Sequence, residues 1–149
     1  MSAQAWKVFN KAKKKIGNAS LSLAATVFRI SLFTSASNFA TLTLSTYASL
    51  TNEVSEANGY SSSGKALANE AWTVGASAKQ YKFDADDPFW SANGGSISNI
   101  KGAVIWISAA SANGRHVLCT ASLTSTQFAL AAGNRLTIQM ATTGILTLV

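Results

Sequence analysis

The sequence predicts a mainly β chain: a single antiparallel β-sandwich- or barrel-like domain over residues 19–149, preceded by a basic amphipathic helical arm over residues 1–18. Three observations carry this expectation. Short runs that alternate apolar and polar residues recur between breaks rich in Gly, Asn and Ser. The most continuous apolar run, Gly102 to Ala109, has the length and β-branched content of a strand at the centre of a sheet. The segment Ala3 to Ile16 alone follows a helical period, with Ala5, Phe9, Ala12 and Ile16 on one stripe and Lys7, Lys11, Lys14 and Lys15 on the other side.

Taken in order, the helix is expected to stop at Gly17-Asn18, and its late lysines complement the helix dipole. From Thr26 to Phe33 the period becomes two. Phe28, Ile30 and Leu32 then share a face opposite Val27, Arg29 and Ser31, which reads as a half-buried strand. Phe39 to Leu44 alternates as a second strand or a surface loop would, and Asn52 to Gly64 reads as a long loop punctuated by Gly59-Tyr60. Ala66 to Val74 is expected as a strand, with Gln80 to Phe83 as its hairpin partner and Tyr81 and Phe83 pointing the same way. Residues Asp84 to Trp90 are expected to break the strand, because Pro88 cannot donate to a ladder. Asn113-Gly114 predicts a hairpin between the central apolar run and Arg115 to Ala121, and Arg135 to Met140 and Gly144 to Leu148 complete the set.

The chain of 149 residues is long enough for one domain with a real core. Charged residues are only 12% of it, about half the usual share. So few charges protect poorly against association and suit a surface that neighbours cover. Residues 1–15 hold five lysines and no acid, while the remaining seven basic and six acidic residues nearly cancel. The net charge of +6 therefore belongs to the arm. The long uncharged stretch Ile30 to Asn52 is studded with Ser, Thr and Asn, so no membrane span is expected.

The chemistry-bearing residues give little purchase for catalysis. His116 is the sole histidine, no Gly-x-Ser-x-Gly elbow is present, and only six carboxylates exist, so no catalytic, cofactor or metal site is expected. Asp84, Asp86 and Asp87 begin like a calcium loop, but Pro88-Phe89-Trp90 stands where further oxygen ligands belong; capping of nearby backbone N–H groups is the expected role. Cys119, the single cysteine, is expected to be a small buried hydrophobe. Trp106 is expected in the core, Trp90 against the acidic turn, and Trp6 on an exposed arm as an interface anchor.

The ordered segments Asn52-Glu53-Val54, Gly59-Tyr60, Gly64 to Leu67, Phe83 to Ser91, Lys101 to Ile105 and Gly144 to Leu148 together resemble a family of small structural proteins of tailed-bacteriophage virions, the capsid decoration or cement proteins. The resemblance implies a non-enzymatic virion protein, made in the host cytoplasm, that sits as a homo-oligomer or in multiple copies on the assembled capsid, with the major capsid protein or another virion protein as partner. The candidate partner-binding residues are Trp6, Lys7, Phe9, Lys11, Lys14 and Lys15 in the arm, with Glu53 and Tyr60 in the loop. Two other readings stand beside it: a tail or head-to-tail joining component, and a small β protein whose arm binds nucleic acid or a membrane surface.

Overall fold

The computed structural model describes residues 4–24 and 26–148. Within them the elements run β1 (Lys7–Val8), α1 (Asn10–Gly17), β2 (Phe28–Phe33), β3 (Lys65–Ala66), β4 (Ala71–Val74), β5 (Tyr81–Asp84), β6 (Phe89–Ser91), β7 (Ile97–Ile100), β8 (Gly102–Ile107), β9 (Val117–Ser122), β10 (Phe128–Leu130), β11 (Arg135–Thr137) and β12 (Leu146–Leu148). The largest sheet has the order β1-β9-β8-β2-β3, and three smaller ones pair β10 with β7, β11 with β6, and β12-β5-β4; every pairing is antiparallel. The architecture is a β-sandwich-like domain. The main sheet ends at β1 and β3, so it does not close into the barrel that the sequence left open.

As expected, the apolar run forms β8 at the centre of the main sheet, in register with β2 from Phe28↔Ile107 to Phe33↔Gly102 and with β9 on its other side. Directly paired residues share a face. Phe28, Ile30, Leu32, Ile105 and Cys119 therefore lie together on one face, with Ser31, Phe33, Val104 and Thr120 on the other. The first face meets the β12-β5-β4 sheet, where the rings of Phe28 and Phe83 lie 4.9 Å apart. The second is covered by the loop of residues 34–54: Tyr47 stacks on Trp106 at 4.2 Å, and Phe39 lies over Gly102, where a Cβ would come within 2.3 Å of its ring. The expectation of a half-buried β2 is thus corrected, because Ser31 and Phe33 are as enclosed as their neighbours. Ser31 is tolerated there because its hydroxyl accepts a hydrogen bond from Trp106 Nε1 at 3.0 Å, and Thr120 donates to the Ala103 carbonyl.

The N-terminal segment also departs from expectation. Its helix begins at Asn10, not Ala3, because Lys7–Val8 is extended and pairs with β9, and Phe9 N donates to Leu118 O. Gln4 N donates to Ser122 O, so the segment lies along the sheet from its first described residue. Ala3 falls outside the described residues. The apolar stripe stands in part: Phe9 and Ala12 are buried in the core and Ile16 packs against it, while Ala5 precedes the helix and is exposed. The helix stops at Gly17-Asn18 as expected.

Residues 35–44 form turns, the loop of the two readings open for this stretch. Two other expectations change. Ala66 to Val74 is two strands, because Asn69 adopts φ +53 and holds Asp86 Oδ2 through its side-chain amide at 2.6 Å. The Asn113-Gly114 signal marks a 3-10 turn, Ala112–Gly114, inside a longer β8–β9 connection, with Ser111 capping Gly114 N. The loop that closes over β2 requires glycine at Gly64, whose φ is +58 and whose added Cβ would sit 1.8 Å from Ile30 O.

Two outcomes are expected in urea unfolding. Phe9→Ala should cost about 3–5 kcal/mol while Lys14→Ala stays within about 0.5 kcal/mol; equal, small effects would mean that the segment is not docked. Gly64→Ala should cost at least about 2 kcal/mol, clearly more than Gly94→Ala, since Gly94 shares a positive φ but has open space around it.

Candidate functional site

Of the residues expected to meet a partner, Glu53 and Tyr60 are instead brought together inside the molecule. Val54 N donates to Leu32 O and Thr34 N to Asn52 O, which lays Glu53 beside Phe33 at the end of β2. Tyr60 donates its hydroxyl to Glu53 Oε1 at 2.6 Å and accepts from Leu32 N at 2.9 Å, while Tyr47 donates to Glu53 Oε2. Tyr60 is only 2% exposed, so it is corrected from a contact residue to a structural one. Burial first, then the hydrogen bond and charge of Glu53, pushes the Tyr47 hydroxyl up from 10.0 to about 12. Tyr60 is driven well above the tyrosine range by burial and then by the Glu53 charge. Neutral phenols donating to one carboxylate make a clamp that ties the loop to the sheet.

The other chemistry-bearing residues are likewise engaged structurally. Asp87 Oδ1 accepts from Met140 N at 2.7 Å, Asp84 Oδ1 from Ala85 N, and Asp84 Oδ2 pairs with Lys82 at 2.8 Å, so the acidic turn caps backbone and neighbours as expected. Among the described residues no group of three His, Cys, Asp or Glu side chains converges as metal ligands would. His116 Nδ1 lies 3.3 Å from Ser45 O. Cys119 is fully buried, and burial raises its thiol far above the ordinary range, which leaves it an unreactive hydrophobe. Trp106 lies in the core as expected, and Trp90, expected against the acidic turn, is buried beside Tyr60 with the rings 6.2 Å apart.

The surface divides the arm residues into two groups. Phe9 has no exposed area, so its reading as a contact residue is corrected; it holds the segment to the core. Trp6 is half-buried against the domain instead of projecting on a free arm. Lys7, Lys11, Lys13 and Lys14 are exposed and Lys15 partly so, and none of the five makes a side-chain hydrogen bond or ion pair with a described residue. By contrast Arg29, Lys65, Lys101 and Arg115 reach backbone carbonyls of their own chain. The free positive charge is therefore concentrated on β1 and α1.

A second surface feature escaped the sequence. Tyr81 pairs with Val74 on one side and Leu148 on the other, so the three side chains form a row across the β12-β5-β4 sheet. They are 45%, 53% and 61% exposed, respectively. The next row on that face, Trp72, Phe83 and Leu146, runs into the core, with Phe83 fully buried and Trp72 stacked on Tyr81 at 6.1 Å. The apolar face of this sheet thus overhangs the core it packs on. Alternation along Trp72/Val74 and Tyr81/Phe83 signals the shared face, but the point at which the core ends depends on strands distant in sequence.

No protein-family model matches this chain, and neither a curated protein nor a solved structure matches it. Among the described residues no helix is long and apolar enough to cross a membrane.

The clamp has a pH signature. Both phenols ionise at higher pH folded than unfolded, so their contribution is intact below about pH 10 and declines as pH rises from 10 to 12 and beyond, because the unfolded chain ionises first. Unfolding titrations should show that alkaline loss, with a shallower slope in Tyr47→Phe; an unchanged slope would contradict the clamp. At neutral pH, Tyr60→Phe should cost about 1–3 kcal/mol by leaving the Leu32 N–H unpaired.

Proposed function

We propose that this chain is a structural protein of a tailed-bacteriophage virion, in the first place a decoration protein that binds the assembled capsid lattice and stabilises it without catalysis. The observation that carries the binding reading is the overhanging row of Val74, Tyr81 and Leu148. Contiguous apolar surface of this kind, continuous with a core face, suits a contact that excludes water. The unpaired lysines of β1 and α1 supply a second, electrostatic contact suited to an acidic neighbour. The ordered motifs from Asn52 to Leu148 point to the phage shell as the surface covered.

The mechanism is mass action. A protein that binds the closed shell and not its dissociated subunits stabilises the shell by an amount that grows with the logarithm of its free concentration over its Kd. When one copy spans two subunits, the second contact forms at high effective concentration, so weak individual contacts suffice.

The chain is expected to purify with intact particles at a copy number near that of the capsid protein, measured by quantitative mass spectrometry. A few copies per particle would shift the assignment to a tail or joining component, and none would overturn the virion reading. Tyr81→Glu, at a half-exposed position, should leave folding intact and weaken retention on particles at least tenfold; retention equal to wild type would remove the apolar row from the interface.

A further inference from the structure

A groove of about 710 Å³ runs between the N-terminal segment and the end of the chain, walled by Trp6 and Val8 on one side and by Met140, Ala141, Ile145 and Leu146 on the other. What distinguishes it is the backbone along its walls. β1 is the outermost strand of the main sheet and β12 the outermost strand of the β12-β5-β4 sheet, so among the described residues neither has a strand partner on its other side. Residues of both edge strands line this one groove. A strand within packed sheets occupies roughly 3.3 Å by 4.8 Å by 10 Å per residue, or about 160 Å³, so the groove has room for about four or five extended residues.

We infer that this groove seats an extended segment of the shell partner, which enters as an added strand between β1 and β12. The inference rests on the binding function proposed above and names where and in what form the partner is held. Main-chain hydrogen bonds to the open edges would supply affinity, and alternate side chains would supply selectivity. Trp6, Val8, Ile145 and Leu146 fit apolar side chains at every second position of that segment. Asp87, the one charged residue among the described residues that line the groove, keeps a carboxylate whose Oδ1 is held by Met140 N. An arginine or lysine on the incoming strand would meet it, whereas an acidic segment would be repelled.

Hydrogen–deuterium exchange on the full chain, free and bound to its native particles, tests this directly. Amides of residues 4–8 and 145–148 should exchange at least tenfold more slowly on the particle. Ala141→Arg, an exposed groove position, should weaken retention at least tenfold, while Ala131→Arg, exposed but outside the groove, should not. Retention on particles with both edges exchanging as in the free chain would overturn the inserted strand and leave the binding function standing. Absence of retention for the unmodified chain would overturn both. A free chain that sediments as a dimer with both edges already protected would make a second copy the occupant and likewise overturn the inference.

Discussion

The fold turns on one constraint: β8, with β2 and β9 beside it, is apolar on both faces and must be covered on both. Each large side chain fully removed from water there contributes about 1.5–3 kcal/mol, and leaving either face open would forfeit several such contributions. One cover is a second sheet, met through Phe28 and Phe83. The other is not regular structure at all; it is the loop of residues 34–54, carried over the sheet by Phe39 and Tyr47 and tied down at Glu53. The loop can serve as a cover because its backbone bonds both within itself, as Ser37 N to Thr34 O and Thr41 N to Asn38 O, and to neighbours, as Tyr47 N to Arg115 O, while its aromatic rings supply the apolar contact. Among the described residues no buried side-chain polar atom is left without a partner.

Seen this way, residues that look like surface chemistry in the sequence become parts of a closure. Glu53 accepts from two tyrosines, Tyr60 also receives the Leu32 amide, and Arg29 donates to the carbonyls of Ser63 and Gly64 at 3.0 and 2.8 Å. These bonds fix the path of a long loop across a sheet. The surface carries features of a different kind: an apolar row, a lysine-bearing helix and a pair of edge strands.

What was legible in the sequence was local. The alternation of β2, the apolar run of β8, the Gly17-Asn18 stop and the capping of Ala85 N by Asp84 all follow from a few neighbouring residues and stand in the structure. What was not legible depended on partners far along the chain. Ser31 reads as solvent-facing until Trp106, 75 residues later, covers it and donates to it. Lys7–Val8 reads as helix until β9 offers a strand to pair with. β10 was missed because Phe128–Leu130 is too short to show a period and forms only by pairing with β7. The overhang of Tyr81 was missed for the same reason, since alternation reveals which residues share a face but not where the opposing layer stops.

On the function proposed here the chain works through the surface it covers on a host, so its position on that host is the central question. Electron cryomicroscopy of the intact particle tests it most directly. The expected result is density for this chain at boundaries between shell subunits, with the Val74–Tyr81–Leu148 row and the lysine face of α1 turned inward against them. A particle that lacks the chain, or one that holds it with those surfaces toward solvent, would contradict it.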